Sequence, residues 1–288
     1  MDAEKVIELD AIEDKLGDVR ALVKGTLIET SLGFLVHDHQ SLTASGKLLR
    51  SRLGFRLAEQ LGTDHRRMVY GGAAIEMIHT ASLLHDDVID GGVIRRSAPT
   101  FWVEKGAAGA ILLGDLLLFK AVDLVCQVDG TLAHELVKLT GEVCEAESEQ
   151  ELVLRGTRST LDVCMSIARR KTGALFAFMA YCAASDDEAL RVAMKEAGYL
   201  VGTAYQMADD ILDASGDATD AGKTLGTDRQ RDIVSSAEID DPCRHLESLC
   251  ARALELLDPW PSARAGLVNY LEFDLRPAMD KLTACPSR

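Results

Sequence analysis

Asp86, Asp87 and Asp90 close an apolar run, Leu83-Leu84-His85-Asp86-Asp87-Val88-Ile89-Asp90. On a helix, Asp86 and Asp90 are i, i+4 and share a face, with Asp87 beside them. The pattern returns far along the chain in Gln206-Met207-Ala208-Asp209-Asp210-Ile211-Leu212-Asp213, where Asp209 and Asp213 are again i, i+4. Six carboxylates aimed at one cavity repel one another unless a cation sits among them. Hard divalent cations with oxygen ligands suit that task, and magnesium in particular keeps its waters and bridges one or two carboxylates to substrate phosphates. A single Asp-Asp-x-x-Asp is weak evidence, because acidic triplets also cap helices or lie on solvated faces. Two copies, each ending an apolar stretch, favour a metal site and ask the rest of the chain for cations that hold a phosphate.

Those cations are present. Lys47 and Arg50, in Ser45-Gly46-Lys47-Leu48-Leu49-Arg50, are i, i+3 and can face one point. Arg95-Arg96 follow Gly91-Gly92 in a loop closed by Pro99, beside three carboxylates, where arginines grip diphosphate oxygens bidentately. Lys171-Thr172-Gly173 opens the apolar stretch Ala174 to Ala184 and puts a lysine and a hydroxyl at its polar edge. Lys223 lies in a glycine- and aspartate-rich loop, Gly216 to Gly226, that could close over a bound diphosphate. His79 precedes Asp86 by two helical turns on the same side, as a core residue or a ligand. The acidic run within 131–155, with Glu142, Glu145, Glu147, Glu149 and Glu151, reads as a solvated face and is left out of the site. Ser185-Asp186-Asp187-Glu188 is left out too, as a capping box with Ser185 as the cap.

The elements that must position these groups are helices. Of six prolines, one lies at 99 and the next at 242, so long stretches rich in Ala and Leu run without interruption. Helical patterns are read over 3–36, 50–61 (ended by Gly62, with Thr63-Asp64 capping the next), 66–90, 106–128 as a buried helix, 131–155, 243–257 and 263–283. No internal domain boundary is evident, and 47% hydrophobic residues in 288 can bury a sizeable core. The net charge of −15 excludes the basic footprint that nucleic acid requires and is unfavourable for anionic membrane surfaces. Asp115, Lys120 and Asp123 interrupt the best spanning candidate, and the first residues are charged, without the apolar segment of a signal peptide. Seven cysteines with no C-x-x-C pair read as ordinary buried thiols of a reducing cytoplasm.

Taken together, Gly46-Lys47-x-x-Arg50, His79 to Asp90, Arg95-Arg96, Lys171-Thr172, Gln206 to Asp213 and Gly222-Lys223 resemble the trans-type prenyl diphosphate synthases, the farnesyl, geranylgeranyl and longer polyprenyl synthases. The match is strongest over residues 45–228. The resemblance implies an all-α, single-domain bundle over 1–288 around a deep central cavity, usually a homodimer. It implies a magnesium-dependent prenyltransferase that condenses isopentenyl diphosphate with an allylic diphosphate. Asp86, Asp90 and Asp209 would bind three magnesium ions, with Asp87, Asp210 and Asp213 in support. Arg95, Lys171 and Lys223 would contact the allylic diphosphate, and Lys47, Arg50, His79 and Arg96 isopentenyl diphosphate. Thr172 and Gln206 would face the developing allylic cation.

The product would grow down the apolar helix below Asp86. One helical turn is about 5.4 Å, near the length of an isoprene unit. Ala81 and Ser82 lie one turn below and are small where farnesyl-length relatives often carry an aromatic, so a geranylgeranyl or longer product is expected, with Met77 and Ile78 as the next layer. The chain departs from the family at Ser45, at Ser97 and after Asp228, where Arg229-Gln230-Arg231-Asp232-Ile233 replaces a segment that usually holds a further lysine. Two other readings stand beside elongation. A class I terpene cyclase would have no use for Lys47, Arg50 and His79. A non-catalytic subunit of a heteromeric synthase would typically have lost the aspartates.

Overall fold

A computed structural model describes residues 3–35, 42, 46–95, 98–157, 160–184, 187–215 and 242–283. They form helix α1 (Ala3–Ile28), α2 (Leu49–Leu61), α3 (His65–Asp90), a minimal hairpin of β1 (Ile94–Arg95) and β2 (Ala98–Pro99), α4 (Phe101–Cys126), α5 (Gly130–Leu152), α6 (Leu161–Ala168), α7 (Ala174–Ala183), α8 (Glu188–Ser215), α9 (Pro242–Glu255), α10 (Pro261–Tyr270) and α11 (Arg276–Thr283). Two π-helical turns, Arg169–Gly173 and Leu271–Leu275, join α6 to α7 and α10 to α11. The all-α expectation holds, since the only strands among the described residues are these two-residue pieces.

Local chemistry sets the boundaries. Gly62 and Gly91 end α2 and α3 in the left-handed conformation, and Asp64 caps α3 by accepting from the Arg67 amide. Ahead of α8, Asp187 accepts from the Leu190 amide at 3.1 Å and so caps the helix; the expected cap, Ser185, lies outside the described residues.

Helix α7 is buried on every face, from Ala174 to Ala183, and is therefore the centre of the molecule. The middle of α3, Met68 to Ile78 apart from the half-buried Tyr70, is buried beside it. The stripe Ile12, Leu16, Val19, Val23 and Leu27 seals α1 onto this core. Helix α4 was expected to be buried. Instead it packs one side along α3 and exposes Ile111, Leu112 and Phe119. No helix among the described residues is long and apolar enough to cross a membrane. The reading of seven buried thiols is corrected in two ways: Cys126 and Cys144 are exposed, and Cys243 is disulfide-bonded.

Candidate active site

The first aspartate set occupies the last turn of α3. Gly91 turns the chain back, its amide meeting the carbonyls of Asp87 and Val88, and the Gly92 amide also reaches the Asp87 carbonyl. Toward this end, His79, Ser82, Leu83 and Asp86 are partly open and Asp90 is exposed, at helical spacing along one face. Met77, Ile78 and Ala81 are closed in, Ala81 being 0% exposed. Of the two small residues expected one turn below Asp86, Ser82 is the one that is partly open.

Asp87 points away from that face and is buried. Its Oδ1 accepts from Arg95 Nε at 2.9 Å and lies 2.8 Å from Arg95 Nη2. The hairpin is further tied down by Thr100 Oγ1 and Trp102 Nε1, both donating to the Gly92 carbonyl at 2.7 Å. Arg95 is thus held next to the aspartates by one of them.

Asp86 is pushed up to about 7, first by burial, then by the Glu147 carboxylate and, more weakly, by Asp90; Lys171 and Arg95 oppose the rise. Glu147 belongs to the run on α5 read as a solvated face, and this is corrected. Lys171 Nζ donates to Glu147 Oε2 at 2.8 Å and to Gln150 Oε1 at 3.1 Å. Arg170 pairs with Glu149 at 2.5 Å, Lys195 with Glu135 at 2.9 Å, and the Tyr199 hydroxyl donates to Glu142. Acidic residues spaced three and four apart form one helix face, and here that face meets cations from the interior elements; Glu145 stays exposed. The missed signal was the cationic Arg169-Arg170-Lys171, which needed partners once half-buried.

The π turn Arg169–Gly173 carries Lys171 and Thr172. An extra residue in a helical turn re-aims the side chains after it, and such turns recur at functional sites. Thr172 Oγ1 donates to Gln206 Oε1 at 2.5 Å, and Gln206 Nε2 donates to Asp210 Oδ1 at 2.8 Å. This chain ties the π turn to the second aspartate set on α8. Gly198 and Gly202, i, i+4 on α8, permit the approach. A Cβ on Gly202 would stand 2.7 Å from Gly173 Cα, and one on Gly198 2.6 Å from Ala177 Cα. Asp209 and Asp210 are half-buried there; Asp213 lies within α8, its side chain outside the described residues.

Arg50 lies in the first turn of α2, its guanidinium 5.3 Å above the Phe176 ring, and Phe176 meets Tyr205 at 6.1 Å. Its Nε is buried without a hydrogen-bond partner among the described residues. Lys47 is exposed and precedes the helix, so the i, i+3 expectation for Lys47 and Arg50 does not apply. His79 keeps its place on the Asp86 face, its carbonyl accepting from Ser82 Oγ at 2.9 Å. Arg96 and Lys223 lie outside the described residues.

The donor set fits a hydrated divalent cation. Among the described residues no three His, Cys, Asp or Glu side chains converge into a closed metal cage. Magnesium does not need one, because it takes one or two carboxylates and completes its shell with water and phosphate oxygens. A crowded carboxyl held near neutrality with a lysine beside it is the electrostatic state that such an ion would relieve.

The model of the family described as polyprenyl synthetase matches residues 36–240. A short chain isoprenyl diphosphate synthase of Methanocaldococcus jannaschii is 35% identical over 199 residues, covering 65% of this chain and 59% of that protein. The chain spans 59–60% of the length of the first curated relatives it matches. Among solved structures, a geranylgeranyl pyrophosphate synthetase from Pyrococcus horikoshii is 27% identical, with TM-score 0.72 and 97% of both chains covered. A polyprenyl synthase from Caulobacter crescentus, complexed with calcium and isoprenyl diphosphate, shares the fold with TM-score 0.73 at 24% identity, covering 96% of this chain and 94% of that one.

Proposed function

Because this chain belongs to the polyprenyl synthetase family, we propose that it elongates prenyl chains, condensing isopentenyl diphosphate with an allylic diphosphate to a geranylgeranyl or longer product. The observation that carries this reading is the π turn at Arg169–Gly173. It puts Lys171 in the field of Asp86 while Thr172 bonds through Gln206 to Asp210, so one short segment addresses both aspartate sets.

A divalent cation, magnesium in this proposal and three ions in all, would draw charge from the leaving diphosphate when held by Asp86, Asp90 and Asp209, with Asp87, Asp210 and Asp213 in support. Arg95 and Lys171, with Lys223, neutralise the diphosphate oxygens as the allylic C–O bond breaks. To do so, Lys171 exchanges Glu147 for the substrate. Thr172 and Gln206 present oxygens to the carbon that becomes positive. The apolar walls around α7 exclude water from it. Lys47, Arg50, His79 and Arg96 hold isopentenyl diphosphate so that its double bond forms the new C–C bond, and the proton then lost goes to the departed diphosphate. Ser82 leaves the first turn below Asp86 open to the growing chain, with Ala81, Met77 and Ile78 packed behind it.

In this reading the chain is one domain over 1–288 and works in the cytoplasm as a homodimer. Support for the dimer comes from the exposed face of α4, where Leu112 is 68% and Phe119 76% exposed. The test is incubation of the purified protein with magnesium, labelled isopentenyl diphosphate and farnesyl diphosphate, followed by chain-length analysis of the dephosphorylated products. A discrete linear prenol of geranylgeranyl length or longer is expected. A cyclic hydrocarbon would move the assignment to a terpene cyclase, and an inert protein to a non-catalytic subunit.

A further inference from the structure

The turn that leads Lys47 into α2 is strained. Leu48 has φ 49° and ψ 41°, the only non-glycine residue with positive φ among the described residues, and its side chain is buried. A branched L-residue occupies that region against its own sterics, so surrounding contacts must hold it there. One contact at this turn comes from Arg52. Its Nε donates to the Lys47 carbonyl at 2.7 Å, immediately before the strained residue. The rest of the guanidinium is anchored elsewhere: Nη1 donates to Asp274 Oδ1 at 3.3 Å, and Nη2 to Glu13 on α1.

Asp274 lies in the second π turn, Leu271–Leu275, and is buried; its other oxygen accepts from Arg56 Nε at 2.9 Å. One turn earlier on the same face, Tyr270 stands in the field of Arg50, and both the Tyr270 hydroxyl and Arg50 Nε are buried without a hydrogen-bond partner among the described residues. The C-terminal π turn and the residue before it therefore back two of the groups assigned to isopentenyl diphosphate, Lys47 and Arg50. The turn reaches the Lys47 carbonyl through Arg52, and Tyr270, the residue just before it, stands in the field of Arg50.

We infer that Arg52 is a positioning residue for isopentenyl diphosphate. It does not touch the substrate. It clamps the Lys47 carbonyl, holds Leu48 left-handed, and so aims Lys47 at the anion that Arg50 also meets. Asp274 is its anchor, which makes the turn at Leu271–Leu275 part of that site. The inference rests on the elongation reading above. A lysine cannot replace Arg52, because three separate acceptors are served by one planar fork.

The test compares the full chain with Arg52→Gln and Arg52→Lys, measuring kcat, KM for each substrate, and hydrogen exchange of the 46–53 backbone amides. Both variants should raise KM for isopentenyl diphosphate about tenfold, leave KM for the allylic diphosphate within about twofold, and speed exchange in 46–53. Asp274→Asn should shift the same parameters in the same direction. Equal rises in both KM values, or an unchanged isopentenyl KM in an active enzyme, would overturn the inference. An unmodified protein with no turnover would sink the elongation reading instead. In that case faster exchange confined to 46–53 in Arg52→Gln would still support the clamp, and unchanged exchange would refute it.

Discussion

Asp86 carries opposite demands. Burial beside Glu147 raises its carboxyl from 3.8 to about 7, and a group whose folded-state value lies above its unfolded value favours folding only while protonated. Its contribution is present below about pH 4 and is lost as pH rises through 7, leaving a net cost at pH 8. Asp86→Asn should therefore melt higher than the parent at pH 8, by about 2–6 °C, and match it near pH 4. The same variant should lose turnover and lose the stabilisation that magnesium with inorganic diphosphate gives the parent. Calorimetry at the two pH values checks the first claim; a variant that keeps the ligand-induced stabilisation would remove Asp86 from the metal site. Glu147 is the second-largest cause of the raised value. Glu147→Gln should move the midpoint of pH-dependent stabilisation by magnesium diphosphate about half a unit to one unit lower. An unmoved midpoint would mean that Glu147 and Asp86 do not share a field.

At the scale of elements, the site depends on how closely α8 approaches α7 and the π turn that precedes it. Gly202 sits where a Cβ would meet Gly173 Cα at 2.7 Å and Phe176 Cδ2 at 2.8 Å, both in the most buried part of the molecule. Neither neighbour can swing aside cheaply, so Gly202→Ala should push α8 outward. Expected effects are a loss of about 1–3 kcal/mol in denaturant unfolding and at least about a tenfold drop in kcat, as the Thr172–Gln206 bond is drawn apart. Normal stability and turnover together would show that the helices tolerate separation. This dependence also marks where the sequence stopped being legible. The helices were readable because their proline-free, Leu- and Ala-rich segments impose a strong period, and α3 ends at Asp90 as its glycines required. The two aspartate sets stood out because each repeats acids at i, i+4 at the end of an apolar run. Which face of α5 turns inward was not, since Glu142, Glu147 and Glu149 meet partners 21 to 57 residues away. The π turn was equally hidden: nothing in Arg169-Arg170-Lys171-Thr172-Gly173 differs in composition from a plain helical turn.

For the whole molecule, the face left open on α4 is the feature that a lone subunit does not account for. Leu112 and Phe119 are seven residues apart, two turns, and so lie on one side, with Ile111 next to them; Asp115 falls between and is half-exposed at its side chain. Buried within a subunit, this apolar helix would need no further partner; open, it costs solubility in a chain whose net charge of −15 otherwise keeps copies apart. A twofold arrangement of two chains lets the same patch cover itself, which is the economical way to close it. Sedimentation should then find a particle of twice the 31.2 kDa chain mass. Phe119→Glu replaces the most exposed apolar side chain of the patch with a charge, where two copies would bring like charges together, and should shift the particle toward the single-chain mass at micromolar concentration. The helices that line the site pack on the opposite side of α4, so the separated chain should keep its fold by circular dichroism. A parent that sediments as a single chain, or a variant that still pairs, would assign the open face of α4 to something other than a second copy.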